Sequence, residues 1–134
     1  MITLQVNSDK KKEVIDLTAK LRSALDRNQA ADGLYHLFLT HTSAAPTTAD
    51  LDPGTDLDLL DAFKALVPRL DYRHPHSPKH VADHIRSSLI GTSLWIPVKN
   101  REPRLGTWQR VVLVEFDGPR ERQITLSMIA ERPA

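Results

Sequence analysis

The chain has 134 residues, 40% of them hydrophobic, with 18 Lys and Arg against 17 Asp and Glu and a formal charge of +1. That length suits one domain with its own core, and the balanced, dispersed charge excludes a dedicated nucleic-acid binder, which carries a strong basic excess. Cysteine is absent, so disulfides, thiolate catalysis and cysteine zinc sites are excluded. No apolar run approaches the ~20 residues of a membrane span, so a cytoplasmic protein with no membrane contact is expected.

Ile2, Leu4 and Val6 alternate with polar residues, the pattern of a half-buried strand. Asn7, Ser8 and Asp9 offer N-caps to a first helix, in which Val14, Leu17, Leu21, Ala24 and Leu25 recur at spacings of three and four and which fades near Asn28. Gly33 turns the chain into a buried strand from Leu34 to Thr40. Residues 41–54, with Pro46, Pro53 and Gly54, read as an irregular loop. Thr55 and Asp58 resemble a capping pair ahead of a second helix carrying Leu59, Leu60, Phe63, Leu66 and Val67, stopped by Pro68. Leu70 to His76 is a polar connection. Ser77-Pro78 then starts a third helix that runs to about Leu89, with Gly91 as its stop. Leu94, Ile96 and Val98 form an alternating strand. Val111 to Phe116 form an apolar one interrupted by Glu115, and after the Asp117-Gly118-Pro119 turn Ile124, Leu126 and Met128 form the last. Consecutive strands at the end favour antiparallel pairing, so the class is α+β in a single domain.

The six histidines are the chemical signal: His36, His41, His74, His76, His80 and His84. Without cysteine, imidazole and carboxylate are the main candidates for metal ligation or proton transfer near neutral pH. His80, His84 and Ser88 share one stripe of the third helix beside Val81, Ile85 and Leu89. Two histidines at this spacing can meet one metal ion, or can simply be half-exposed residues of an amphipathic helix. His74 and His76 lie where the connection can fold back onto that helix. His41 stands at the end of a strand, a rigid support for a functional group, or else is a hydrogen-bonded core histidine. His36, inside a strand, reads as packed. Three neutral imidazoles would leave an open position on a catalytic zinc, with Asp52, Asp83 and Glu115 as candidates to orient them. Glu115 either faces solvent on an edge or points into a buried polar pocket. Phosphate-loop, dinucleotide and Gly-flanked serine motifs are missing. Ser43 follows His41 by two residues, but no third triad member can be assigned.

Eight segments together resemble the YjbQ-like family of small bacterial and archaeal proteins. They are His41-Thr42-Ser43-Ala44, Asp52-Pro53, Tyr72-Arg73-His74, Ala82-Asp83-His84, Ser88 to Ser93, Ile96-Pro97-Val98, Leu105 to Gln109 and Glu115 to Arg120. Each is weak alone; their order and spacing are specific. The resemblance implies an α+β subunit with a β-sandwich of mainly antiparallel strands and about three helices, assembled as a homotrimer. It implies a secondary thiamine-phosphate synthase activity, in which hydroxymethylpyrimidine diphosphate condenses with thiazole phosphate. It also implies a site built on His41, His74 and His84 as catalytic or metal-binding groups, a divalent ion such as zinc, and magnesium for a diphosphate substrate. Glu115 and Arg120 would act in that site, and Ser43, Ser88 and Gln109 would contact a small phosphorylated metabolite. A metal-dependent hydrolase and a non-enzymatic trimeric binder of metal or small ligands are the alternatives. The chain departs from the family pattern at Thr48-Ala49-Asp50-Leu51, one residue shorter than the usual Asn-Glu-Asn-like run. It also carries His80 where members commonly carry Asn.

Overall fold

The computed structural model describes residues 1–68, 70–74 and 77–132. Two antiparallel sheets form its frame. The strands are β1 (Ile2–Asn7), β2 (Glu13–Asp16), β3 (Gly33–Leu39), β4 (Ala44–Ala49), β5 (Ser93–Lys99), β6 (Glu102–Pro103), β7 (Arg110–Glu115) and β8 (Glu121–Ala130). The larger sheet has the order β1-β8-β3-β5-β6 and the smaller β2-β7-β4. The helices are α1 (Thr18–Arg27), α2 (Thr55–Leu66) and α3 (Val81–Ile90), the last preceded by a short 3-10 turn at Pro78–His80. The α+β class with antiparallel strands and three helices is as the sequence indicates. Among the described residues no helix is long and apolar enough to cross a membrane.

Period-two alternation decides what each sheet buries. From the larger sheet, Leu4, Val6, Tyr35, Leu37, Leu39, Ile96, Val98, Ile124 and Leu126 point inward. They meet Val111 and Leu113 of β7, Leu21 and Leu25 of α1 and Leu17 just before it in one core. The opposite face of β7 carries Val112 and Val114, followed by Phe116, which pack with Leu60 and Phe63 of α2 and Ile90 of α3. The smaller sheet is therefore covered on both sides, which explains its near-continuous apolar run. The outer face of the larger sheet is uncovered in the single chain: Leu34, Phe38, Trp95 and Ile129 are exposed there.

Four local expectations are corrected. Val14 is not on the first helix. Glu13–Asp16 instead pair with Val112–Glu115 as a strand, and α1 begins at Thr18. Pairing with a buried partner outweighs a helical spacing that Val14 and Ile15, both β-branched, support weakly. Residues 44–49 are not loop but β4, antiparallel to β7; Pro46 is tolerated because this is an edge strand. Thr55 does not cap α2; Gly54 does, at φ 91. Finally, the Val81-Ile85-Leu89 stripe is not the buried face of α3. Leu89 is exposed, while Asp83, Arg86 and Ser87 are buried.

That inverted face is held by polar bonds. Ser87 Oγ donates to the Ala44 carbonyl at 2.6 Å. Arg86 donates to Asp83 Oδ1 at 2.9 Å, to the Phe63 carbonyl at 2.9 Å, and at longer range to the carbonyls of Lys64 and Val67. A guanidinium thus closes the carbonyl end of α2, where an unsatisfied dipole attracts positive charge. Arg86→Met should lower unfolding stability by about 3 kcal/mol, since it leaves the buried Asp83 with Lys12, at 2.8 Å, as its one close cationic partner among the described residues and strands several carbonyls. Urea denaturation checks this; a loss under about 1 kcal/mol would mean that α3 is held by other contacts.

Candidate functional site

The site begins with two inward positions of the large core. Glu115 shares its side of β7 with Val111 and Leu113, and Arg122 shares its side of β8 with Ile124 and Leu126. Both are buried, at 0% and 2% exposure, so Glu115 lies in a polar pocket and not on a solvent edge. Arg122 Nε donates to Glu115 Oε1 at 2.9 Å, and Nη2 reaches Oε2. Ser8 Oγ donates to Glu115 Oε1 at 2.7 Å, the Asp117 N–H to Oε2 at 3.1 Å, and Arg122 Nη2 also donates to Ser43 Oγ at 2.8 Å. Burial pushes the Glu115 pKa upward. The hydrogen bonds from Arg122, Ser8 and Asp117, with the Arg122 charge, outweigh it and hold the carboxyl below its ordinary 4.5.

Above this pair lie His41 and His84, and the protons of the imidazoles are fixed by backbone groups. A backbone N–H can only donate and a carbonyl only accept. The Gln123 N–H points at His41 Nε2 at 3.0 Å, so neutral His41 carries its proton on Nδ1. Burial, then the charge of Arg122, lowers the His41 pKa below its ordinary 6.5; Glu115 opposes this and Arg120 adds to it. His84 Nδ1 lies 2.8 Å from the Thr42 carbonyl and must donate, which leaves the Nε2 lone pair available. His74 Nδ1 accepts the Ser77 N–H at 3.0 Å, and its ring centroid is 5.6 Å from that of His84.

Two adjoining clefts share Thr40, His41, Thr42 and His84. The first, about 590 Å³, adds Ser43, Asp117, Arg120, Glu121 and Arg122. The second, about 650 Å³, adds Phe38, Leu39, His74, Ser87, Ser88 and Thr92. Arg120 is held by its own turn: Nε donates to the Asp117 carbonyl at 2.8 Å and Nη2 to Asp117 Oδ2 at 3.0 Å. Burial raises the Asp117 pKa, but Arg120, His80 and Lys11 together hold it below its ordinary 3.8.

Of the residues singled out in the sequence, His41, His74, His84, Ser43, Ser88 and Arg120 line these clefts, with Glu115 beneath them. Gln109 does not; its Oε1 accepts the Gly106 N–H at 2.8 Å in an exposed loop outside both clefts. Asp52 is exposed and also lines neither cleft. His36 stacks on Trp95, centroids 4.6 Å apart, on the outer sheet face. His76 lies outside the described residues. His80 and His84 do not act as a pair, because His80 Nδ1 faces Asp117 at 3.6 Å and Asp83 at 3.8 Å. Arg122 is the residue that sequence reading missed. Its signal was parity: it stands two positions before Ile124, on the inward side of the strand, and two after Arg120.

A three-histidine metal site is tested by these lone pairs. Among the described residues, the one group of three potential donors whose ligand atoms all lie within 4.8 Å of one another is His80, Asp83 and Asp117. Its carboxylates are already matched by Lys12 and Arg86 at Asp83 and by Arg120 at Asp117. His41, His74 and His84 do not form such a group, and two of them spend a lone pair on a backbone N–H. In the single chain the three do not fit a shared ion as arranged.

A family model described as "UPF0047 protein YjbQ-like" matches residues 2–131. A UPF0047 protein of Methanocaldococcus jannaschii is 33% identical over 129 residues, covering 96% of this chain and 93% of its own. The UPF0047 protein YugU of Bacillus subtilis is 33% identical over 128 residues, covering 95% and 97%. The crystal structure of an uncharacterised YjbQ/UPF0047 protein from Clostridium acetobutylicum has a TM-score of 0.85 at 32% identity, over 96% of this chain and 100% of that one. A hypothetical protein from Aeropyrum pernix has a TM-score of 0.87 at 31% identity, over 96% and 97%.

The lowered pKa values of His41 and Glu115 give stability a pH dependence of known sign. His41 is depressed in the folded state, so its contribution is complete above pH 6.5 and is lost as pH falls through its lowered value. Glu115 contributes fully above pH 4.5 and loses its part as pH falls through its own lowered value. Urea midpoints should start to fall below pH 6.5 and fall again below 4.5. His41→Gln should remove the first decline alone; an unchanged slope in that interval would refute the assignment.

Proposed function

The chain belongs to the YjbQ-like UPF0047 family, and on that premise we propose that it is a small metabolic enzyme acting on a phosphorylated metabolite, with His84 as its proton-transfer group. The observation that carries this reading is the bond from His84 Nδ1 to the Thr42 carbonyl. It fixes the tautomer and leaves Nε2 with a lone pair at the seam of two clefts, the arrangement an acid–base imidazole needs. Arg120 lines the first cleft, where a developing oxyanion would be stabilised by charge-assisted hydrogen bonds.

Thiamine-phosphate synthesis is the reaction we carry forward from the sequence resemblance. In it the carbon–oxygen bond of hydroxymethylpyrimidine diphosphate breaks, the thiazole nitrogen bonds to that carbon, and diphosphate departs. Protonated His84 would give its proton to a diphosphate oxygen, and the arginine cleft would hold the departing group. The second reading is hydrolysis of a phosphorylated metabolite. It is favoured by the same Nε2 lone pair, which suits activation of water, and by the nearness of the His74 and His84 rings. The third is a binder of metal or small ligands without turnover. A divalent ion, zinc or magnesium, belongs to the hydrolytic and binding readings, and no step of the leading one runs through it.

Purified protein assayed with the two thiamine precursors and with a phosphoester panel separates the three. His84→Gln should lower turnover by roughly 10²- to 10⁴-fold at unchanged melting temperature. Activity that survives His84→Gln refutes the proposal; activity abolished by a chelator and restored by zinc points to the hydrolytic reading. For the assembly we propose the homotrimer that the resemblance implies, with the exposed Leu34, Trp95 and Ile129 as the apolar surface able to serve it. Light scattering should give three times 15.1 kDa; a monomer mass would refute it.

A further inference from the structure

We propose that the two clefts receive the two ends of one ligand: a phosphoryl oxyanion in the arginine cleft, on Arg122, and an uncharged organic body in the other, with the bond between them over His41 and His84. This rests on the acid–base reading above and adds to it the ligand's orientation, the buried Arg122 as its oxyanion contact and Glu121 as the residue that limits affinity.

The first cleft is built from donors that cannot turn away. Arg122 lines it while 2% exposed. Its Nε and Nη2 are taken by Glu115 and Ser43, and Nη1 enters none of those bonds. Among the described residues no sealed side-chain nitrogen lacks a partner, so an unbonded Nη1 is one that reaches the cleft. His41 brings a second fixed donor, since Gln123 occupies Nε2 and leaves Nδ1–H. Arg120 brings a third, braced through Nε and Nη2 on Asp117. Three donors held by three different supports suit the three oxygens of a phosphoryl end better than the two of a carboxylate.

The second cleft contrasts with it. Among the described residues its lining has no arginine, lysine or carboxylate; Phe38 and Leu39 supply apolar surface and Ser88 and Thr92 supply hydroxyls. An uncharged ring fits such walls. The clefts meet at His41 and His84, so the bond joining phosphate to body falls beside the open Nε2 lone pair of His84.

Charge sets the strength. Arg122 is matched by Glu115 and Arg120 by Asp117, so neither brings unspent charge. Glu121 lines the same cleft, is exposed, and enters no ion pair among the described residues. It opposes an anion, and affinity for a bare phosphate should be modest, on the order of millimolar.

Calorimetric titration of the whole protein with inorganic phosphate and with phenyl phosphate tests this without turnover, so its failure is separable from failure of the acid–base assignment. Arg122→Lys, if folded by circular dichroism, should weaken both ligands about tenfold or more. Glu121→Gln, on an exposed residue, should tighten both by a few-fold, about 3- to 10-fold, a gain that misfolding cannot mimic. Phe38→Ala should weaken phenyl phosphate and leave inorganic phosphate unchanged. The proposal is overturned if wild-type protein binds neither ligand at about 10 mM, if Glu121→Gln fails to tighten binding, if folded Arg122→Lys binds as well as wild type, or if Phe38→Ala shifts both ligands equally.

Discussion

The Glu115–Arg122 pair is the constraint around which the candidate site is arranged. Two charges in a core are tolerated only with close geometry and further hydrogen bonds, and here Ser8, Ser43 and the Asp117 N–H supply them. Those partners come from the end of β1, the approach to β4 and the turn between β7 and β8. One ion pair therefore ties together the ends of both sheets at the point where the clefts open. Breaking such a pair from one side costs ~3–5 kcal/mol, so the floor of the site and the closure of the sandwich are one structure.

From that floor the imidazole protons follow by logic of donors and acceptors. His41 is held by the Gln123 N–H one residue beyond Arg122, and His84 by the Thr42 carbonyl one residue beyond His41. Neither ring relies on a carboxylate for its tautomer. Both are oriented by backbone, which has no charge to lose and no rotamer to change. His84 comes from α3 and Thr42 from the approach to β4, so the position of α3 sets where the His84 imidazole stands.

That position depends on an unusual helix face. α3 turns Asp83, Arg86 and Ser87 inward and leaves Leu89 outside, with Arg86 closing the carbonyl end of α2 and Ser87 bonded to β4. The same bonds place His80 against Asp117 and hence near the brace of Arg120. His80 thus sits beside the carboxylate that braces Arg120 behind the arginine cleft.

The sequence by itself determined much of the frame. Alternation at Ile2-Leu4-Val6, Leu94-Ile96-Val98 and Ile124-Leu126-Met128 located three strands, because period two is a local property of a half-buried sheet. Gly33, Pro68 and Gly91 placed boundaries for equally local steric reasons. The motif order identified the family and pointed to His41, His74, His84 and Arg120, which line the clefts, and to Glu115 beneath them. Tertiary structure decided the rest. Glu13–Asp16 became a strand and not a helix turn because β7 offered it a partner distant in sequence. Residues 44–49 became β4 for the same reason, and α3 buried its polar face because Asp83 and the α2 carbonyls were there to receive Arg86. Above all, Arg122 under the site and the lone pair of His84 were invisible in spacing. Both depend on bonds between residues 7 to 79 positions apart in the chain, and only the folded backbone brings those donors and acceptors together.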